Sequence, residues 1–381
     1  MRRNLFEEDH LAFGEAVRTF VDRSVAPRHQ KFIEQRFIDR DVWLEAGQIG
    51  LLGLEVPERF GGVEAKDYRF NVVLGEELAR VSAAVGSALG IHFDVVAPYL
   101  VHLTTEEQKD RWLPRFCTGE LITAIAMTEP SGGSDLAALK TTAVRDGRSY
   151  IINGAKTFIT NGGSADLVIV AARTSPEKKA KGITLFAVED GTEGFARGRI
   201  LDKVGQPESD TAELFFDDVR VDESAVIGQV DHGFIHMMQM LPQERIGAAV
   251  ANLGHVRPIL EDTIDYAKQR KAFGQHIGAL QHNKFMLAEM VTKLDVTQAF
   301  VDNAVVAHSR GELTATDAAK AKWWTAHLQN EILDYCVQLH GGYGYMNEYR
   351  VARAWKDARV SKIWAGSNEI MKELIGRDLG L

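Results

Sequence analysis

Apolar residues recur at helical spacing through the first third of the chain. Near the N-terminus an amphipathic helix is predicted, because roughly helical spacing joins Leu11, Phe13, Ala16, Val17 and Phe20. The segment 72–84 has the apolar character of a second helix, and glycines interrupt the sequence between the two. The pattern predicts an all-α N-terminal domain over residues 1–120.

From about residue 121 the pattern changes to short β-rich runs. The dipeptide Asn153-Gly154 predicts a hairpin turn between the runs 150–152 and 157–160. Further runs of this kind occupy 167–172, 183–188 and 212–216. Because they follow one another closely, the pattern favours an antiparallel β sandwich or barrel over alternating βαβ units. This middle β domain is expected over residues 121–232.

Helical periodicity returns after Gly233. Two apolar stripes predict the core of a C-terminal helical bundle over residues 233–381. The first comprises Leu287, Met290, Val291 and Leu294, and the second comprises Trp324, Leu328, Ile332, Tyr335 and Leu339. The predicted fold class is therefore α+β, with helical, β and helical domains in that order. No G-x-G-x-x-G follows a strand, so a dinucleotide would be bound by something other than a Rossmann turn.

Composition and charge argue against several classes of function and site. The net charge of −9 and pI near 5.8 argue against a nucleic-acid surface, although a few local arginines can hold phosphates on an acidic protein. Cys117 and Cys336 are expected to be reduced core residues, and no cysteine or histidine spacing indicates a metal. No run was expected to span a membrane, and the early acidic residues argue against a leader peptide. A cytoplasmic, bacterial protein is expected.

One carboxylate in the C-terminal helices suits general-base chemistry. Glu244 precedes Arg245 in a stretch that is rich in methionine, leucine and isoleucine. Burial among such side chains raises the pKa of a carboxyl group toward neutral pH, where it can exchange protons. The competing interpretation is an exposed Glu–Arg pair, which would contribute little.

Three other segments carry groups suited to a large polar cofactor. Residues 127–135 hold a Gly-Gly turn flanked by hydroxyls, although an ordinary surface turn would look the same. Arg270-Lys271 could hold a pyrophosphate or could be a solvated helix end. The glycines of 341–344 could cap a helix or let a cofactor approach the backbone.

In chain order, the motifs resemble the acyl-CoA dehydrogenase family over nearly the whole sequence. The matching segments are Met127–Asp135, Lys156–Asn161, Ser209–Phe216, Arg270–Gly274 with Gln281, and Gln338–Tyr345. Most members that this chain resembles carry the catalytic base just before a C-terminal Gly-Thr or Gly-Ser, where this chain has Ala365. The isovaleryl-CoA and long-chain branches carry it on a helix before an arginine, as in Glu244-Arg245. The runs 241–245 and 368–375 look most like the long-chain branch.

The resemblance implies that the C-terminal bundle has four helices, and it implies a role for each matching position. Glu244 would be the catalytic base. The cofactor, FAD, would be bound by Thr128, Ser134, Phe158, Thr160, Arg270, Phe273, Gln281, Gln338, Gly342, Ser367 and Glu369. The substrate would contact Ser134, Leu241, Arg245, Ala365 and Gly366. Arg270, Phe273 and Gln281 would hold the FAD of a neighbouring subunit, and the backbone N–H of Ala365 would bind the thioester carbonyl.

Two positions depart from the family pattern. Phe158 stands where tryptophan is common, and its ring keeps the apolar wall against the isoalloxazine. Pro207 stands where many members have a basic residue, which puts a local charge contact in question.

The expected activity is FAD-dependent oxidation of an acyl-CoA to its trans-2-enoyl-CoA in fatty acid β-oxidation, with electrons passed to electron-transfer flavoprotein. The resemblance also implies a homo-oligomer, and a tetramer in particular. An acyl-CoA oxidase, a flavin monooxygenase and a non-enzymatic FAD- or CoA-binding scaffold are the alternatives. The sequence leaves the length and branching of the acyl chain open.

Overall fold

The computed structural model describes residues 3–381. The first third is helical, as the sequence predicts, with helices α1 Glu8–Phe20, α2 His29–Gln35, α3 Arg40–Gln48, α4 Arg69–Val81, α5 Ala83–Gly90, α6 Ala97–His102 and α7 Glu106–Thr118. Capping sets the limits of α7. Thr105 and Gln108 form a reciprocal capping box at its start, and Gly119 ends it at φ 78°.

The apolar segment 72–84 is two helices rather than one. Ser82 has extended backbone dihedrals (φ −152°, ψ 124°) and its side chain accepts a hydrogen bond from Val85 N at 3.2 Å. Serine is a good N-cap, so it ends α4 and begins α5 within one residue. Downstream, the helical segment Ala83–His102 is by length and composition apolar enough to cross a membrane, but 72% of its most apolar window is buried inside the fold, as in a core helix.

The middle of the chain forms one mixed eight-stranded sheet. Its strands are β1 Thr123–Ala126, β2 Thr142–Asp146, β3 Ser149–Thr160, β4 Leu167–Arg173, β5 Ile183–Glu189, β6 Phe195–Ile200, β7 Thr211–Asp222 and β8 Val226–Ile227. The order is β6-β7-β3-β2-β4-β5-β8, with β1 beside β4. Most pairings are antiparallel as predicted, but β1 and β2 both run parallel to β4.

The hairpin predicted at Asn153-Gly154 was wrong. Strand β3 continues through both residues, and its pairing with β7 shifts register between Ile152 and Gly154. The dipeptide therefore forms a bulge inside a long strand. Gly154 is required there because a Cβ would lie 2.5 Å from Thr141 Oγ1. The actual turn joins Asp146 to Ser149.

Strand β4 anchors the sheet because both of its faces are buried. Leu167, Ile169 and Ala171 belong to a cluster that includes residues of α6 and α7. The alternate residues, Val168 and Val170 among them, pack in a second cluster within the β region. A strand buried on both faces reads as a continuous apolar run, as 167–172 does.

Helices return in the last third. They are α8 Gly233–Gln269, α9 Gln281–Ser309, α10 Ala315–His340, α11 Arg350–Ala358 and α12 Asn368–Asp378, with a short hairpin of β9 Lys271–Ala272 and β10 Gln275–His276 after α8. A shared core joins α8, α9, α10 and α11 to Val72 of α4. The helical C-terminal region is therefore confirmed.

The two predicted stripes hold only in part. Met290, Leu294, Leu328 and Ile332 are buried, whereas Val291 and Tyr335 are exposed. On α10 the buried face continues through Leu333 and Cys336 instead. Cys117 and Cys336 are both buried and unbridged.

Candidate active site

A cavity of about 330 Å³ lies between α4, α5, α8 and the edge of the sheet. Small residues form much of its wall, namely Gly75, Ala79, Ala83, Gly86, Gly90, Gly247, Ala248 and Ala251. Because these side chains fill so little space, a channel remains open between the helices. Of the predicted site residues, the cavity brings together Thr128, Phe158, Thr160, Leu241, Glu244, Ala365 and Gly366.

Glu244 lies on α8 and lines the cavity. Tyr99 Oη donates a hydrogen bond to Glu244 Oε1 at 3.2 Å. Burial raises the pKa of Glu244 to about 7, with a further increase from Asp94, while Tyr99 and the charge of Arg245 oppose the shift. A carboxyl group with this pKa can take up a proton near neutral pH, which a surface glutamate cannot do.

A second carboxyl group, that of Asp94, lines the same cavity from the π-helical segment Ile91–Val96. Tyr68 Oη donates to Asp94 Oδ2 at 3.1 Å, and Asn71 Nδ2 donates to Oδ1 at 3.0 Å. Burial raises the pKa of Asp94 to about 6 even though these hydrogen bonds favour its ionised form. Gly247 makes room for it, since a Cβ there would lie 2.1 Å from Asp94 Oδ2.

The sheet contributes the opposite wall through Thr128, Phe158 and Thr160. The pairing of β3 with β7 shifts register between Lys156 and Ile159, and Phe158 in this bulge has φ 60° with 67% of its surface exposed. Left-handed dihedrals are rare for phenylalanine, and such strain concentrates at binding sites. Lys156 Nζ donates to Glu129 Oε1 at 2.9 Å, which ties the loop beside Thr128 to β3.

Ala365 and Gly366 form a left-handed turn, with φ 51° and 84°. On α10, the fully buried Lys322 holds this turn by donating a hydrogen bond to the Gly366 carbonyl oxygen at 2.5 Å. Burial lowers the pKa of Lys322 to about 8. The N–H of Ala365 makes no hydrogen bond to any residue that the structure describes. It is therefore free to bind an oxygen atom of a ligand.

The remaining predicted FAD residues lie outside this cavity. Six of them are exposed on the surface, namely Ser134, Arg270, Phe273, Gln281, Gln338 and Gly342, and Glu369 is exposed at the start of α12. Ser367 caps α12 by accepting from Ile370 N. The Arg270 guanidinium lies 5.9 Å from the Tyr343 ring centroid, so the β9–β10 hairpin and the glycine-rich turn adjoin each other.

Arg245 is buried next to Glu244 but does not line the cavity. Its Nε is buried and makes no hydrogen bond to any described residue. Burial lowers the pKa of Arg245, while Glu244 partly offsets that shift. The structure therefore places its charge behind the predicted base rather than in the cavity.

Sequence reasoning missed three polar residues of the site. Asp94 and Tyr99 lie within the apolar segment 83–102, where a lone acid was a signal that could have been noticed. Lys322 gave no such signal, because it lies in a helix with alternating polar residues and its partner is 44 residues away.

The chain belongs to the acyl-CoA dehydrogenase family. The N-terminal domain model of that family matches residues 7–120, the middle domain model matches 124–219 and the C-terminal domain model matches 231–380. The protein is therefore an oxidoreductase of the FAD-dependent dehydrogenase type, as the sequence predicts. The exposed ring of Phe158 and the hydroxyl groups of Thr128 and Thr160 on the same wall fit a flat, polar-edged cofactor.

Among curated relatives, the mitochondrial long-chain specific acyl-CoA dehydrogenase of Mus musculus is 45% identical over 379 residues, which cover 99% of this chain and 88% of the relative. A solved acyl-CoA dehydrogenase from Geobacillus kaustophilus is 44% identical, with a TM-score of 0.98 and full coverage of both chains. A glutaryl-CoA dehydrogenase from Mycobacterium smegmatis, solved with FADH2, is 28% identical, with a TM-score of 0.92 over 98% of this chain and 95% of that one.

Proposed function

We propose that this enzyme oxidises long-chain acyl-CoA thioesters to trans-2-enoyl-CoA, with Glu244 as the base. One observation carries the proposal: a buried carboxyl with a pKa of about 7 shares a cavity with the free Ala365 N–H and the wall formed by Thr128, Phe158 and Thr160. No carboxylate stands at position 365 to compete for the role.

The residues divide the reaction between them. The thioester carbonyl oxygen accepts a hydrogen bond from the Ala365 N–H, which stabilises the enolate-like charge that develops on that oxygen. Glu244 then removes the proton from the neighbouring carbon and becomes a neutral carboxylic acid. Bound FAD supplies the acceptor for the hydride that leaves the β-carbon. The products are the α,β-unsaturated thioester and the reduced cofactor.

The length of the channel supports a long acyl chain. Glu244 and His255 both line the cavity and are eleven residues apart on α8, or roughly 16 Å along its axis. Glycines and alanines of α4, α5 and α8 border the space between them, and their side chains take up little of it. The long-chain relative at 45% identity agrees with this assignment.

The test is anaerobic mixing of the purified holoenzyme with palmitoyl-CoA while flavin absorbance is followed. We expect wild type to bleach and Glu244→Gln to lose at least roughly a thousandfold in rate, because the amide cannot accept the proton. Glu244→Asp is the matched control, since it keeps the carboxyl group and should retain measurable bleaching. All three proteins should remain yellow. Bleaching of Glu244→Gln at the wild-type rate would remove Glu244 from the role.

We also propose electron-transfer flavoprotein as the electron acceptor and a homo-oligomer as the working form. The resemblance to the family and the surface positions of Arg270, Phe273 and Gln281 support these assignments. An acyl-CoA oxidase or a flavin monooxygenase would instead reoxidise its reduced flavin rapidly with oxygen. The rate of reoxidation in air, with and without electron-transfer flavoprotein, separates these possibilities.

A further inference from the structure

The acyl channel changes character at its far end. Between Glu244 and Ala251 the walls from α4, α5 and α8 are largely glycine, alanine and valine, but beyond Ala251 the channel is lined by Asn252, His255, Gln329, Gln206 and Asp357. An acyl chain that ended in a methyl group would leave polar groups facing hydrocarbon, which costs free energy.

Several of these distal polar groups are already satisfied by their neighbours. Asp357 Oδ1 accepts from Gln206 N at 2.5 Å, and the Asp357 carbonyl accepts from Gln206 Nε2 at 3.0 Å. Asn252 Nδ2 donates to Thr325 Oγ1 at 3.1 Å. They form the structural frame of the channel end.

The pair formed by Gln329 and His255 is different, because it has hydrogen-bonding capacity to spare. Gln329 is 2% exposed and His255 is 5% exposed, and 2.7 Å separates Gln329 Nε2 from His255 Nδ1. Gln329 Oε1 is buried and makes no hydrogen bond to any described residue. Nor does any residue in 3–381 bond to His255 Nε2.

The protonation state of His255 determines which free hydrogen-bond donor and acceptor the Gln329–His255 pair presents. Burial lowers the pKa of His255 to about 4, so the ring is neutral at physiological pH. Since Nδ1 accepts from Gln329, the proton is on Nε2, which is a donor, while Gln329 Oε1 is an acceptor. Rotation of the amide by half a turn exchanges these roles and again leaves one donor and one acceptor.

We propose that Gln329 and His255 form a subsite for a terminal hydroxyl group, so that the preferred substrates are long-chain acyl-CoA thioesters with an ω-hydroxyl. This inference rests on the proposed dehydrogenase function and adds the chemistry of the distal chain end. A hydroxyl both donates and accepts, which matches the two spare groups. A terminal carboxylate cannot donate to Gln329 Oε1, and it would also meet the neighbouring carboxyl group of Asp357.

The test compares anaerobic flavin bleaching by two series of thioesters on the wild-type holoenzyme. One series has unsubstituted dodecanoyl, tetradecanoyl, hexadecanoyl and octadecanoyl chains, and the other has the same chains with an ω-hydroxyl. We expect the hydroxylated member to bind about tenfold more tightly at the one length that reaches His255, because two hydrogen bonds replace two unsatisfied groups. Gln329→Met should abolish or reverse that preference.

Octanoyl-CoA provides the control, since its chain ends before the pair. Its bleaching by Gln329→Met should equal that by wild type if the variant is correctly folded. Equal binding of the two series at every length would overturn the inference while leaving the dehydrogenase function intact. It would mean that water forms the hydrogen bonds to Gln329 and His255. Failure of all chains to bleach the flavin would instead overturn the proposed function on which it rests.

Discussion

At the scale of single residues, two carboxyl groups line the same cavity, and the charge of one affects the pKa of the other. Asp94 and Glu244 have raised pKa values of about 6 and about 7. Because Asp94 titrates first, it is ionised over the range in which Glu244 loses its proton. The negative charge of Asp94 therefore raises the pKa of Glu244, which makes Glu244 a stronger base in the proposed proton transfer.

We predict that Asp94→Asn moves the acidic limb of the rate profile to lower pH. The base acts only when deprotonated, so the rate falls as pH falls through the pKa of Glu244. Removing the Asp94 charge lowers that pKa, by up to roughly one unit. The measurement is the anaerobic bleaching rate from pH 5 to pH 9.

Glu55→Gln is the control for this experiment. Burial, with a contribution from Asp94, raises the pKa of Glu55 to about 8, so below that pH its side chain is mostly neutral, like the glutamine that replaces it. The acidic limb of its profile should match that of wild type. An unshifted profile in Asp94→Asn would show that Asp94 does not influence the base.

The sequence allowed Glu244 to be predicted because the signal is local: an acid among apolar residues of one helix. The reason that Asp94 has a raised pKa is not local, since Asn71 belongs to α4, Tyr68 directly precedes that helix and Gly247 belongs to α8. Only the packing of three elements shows that these groups meet.

At the scale of elements, α8 accommodates Asp94 through Gly247. Alanine is intrinsically better than glycine inside a helix by about 1 kcal/mol. Here we predict that Gly247→Ala destabilises the protein by about 1–3 kcal/mol, since its Cβ would overlap Asp94 Oδ2 and crowd the Tyr68 hydroxyl at 3.2 Å. Thermal unfolding followed by circular dichroism measures the effect.

Gly75→Ala is the matched control, on the face of α4 that meets α8. Its Cβ would have Val250 Cγ1 as the nearest of its neighbours, at 3.9 Å, which is ordinary contact. This variant should be neutral or up to about 1 kcal/mol more stable. Equal stability changes in the two variants would contradict the role given to Gly247.

Elements also show where local signals mislead. The order of helical and β regions followed from periodicity alone, because hydrophobic spacing reports how each segment is buried. The Asn153-Gly154 dipeptide predicts a turn, yet β2 and β7 pair with the two edges of β3. These pairings keep the chain in one continuous strand, with only a bulge at the dipeptide. Similarly, the parallel pairings of β4 could not be predicted from strand spacing.

At the scale of the whole molecule, the β9–β10 hairpin exposes an aromatic side chain that a neighbouring subunit could cover. Phe273 at its tip is 91% exposed and strained at φ 53°. A large aromatic side chain in that conformation is unfavourable in an isolated chain. We therefore expect a neighbouring subunit to cover it, together with bound FAD.

We predict that Phe273→Ser weakens FAD retention by about tenfold or more through loss of buried aromatic surface. Equilibrium dialysis followed by flavin absorbance measures retention, and sedimentation velocity reports the size of the assembly. Val204→Ser is the control, since Val204 is likewise exposed at 80% but lies outside the predicted FAD residues. Equal FAD retention in both variants, or a monomeric wild type, would contradict the prediction.

The Ala365 turn has a consequence for how this position tolerates change. The proposed mechanism requires only a main-chain N–H at this position, so we expect the activity of variants in a saturation library at 365 to follow backbone preference instead of side-chain chemistry. Glycine, asparagine and aspartate should survive at φ 51°, whereas valine, isoleucine and proline should be lost. We therefore expect that an acidic side chain can be added or removed at position 365 while the main chain still binds the thioester carbonyl. Under this expectation the catalytic base can be on a different element, as proposed for Glu244 on α8.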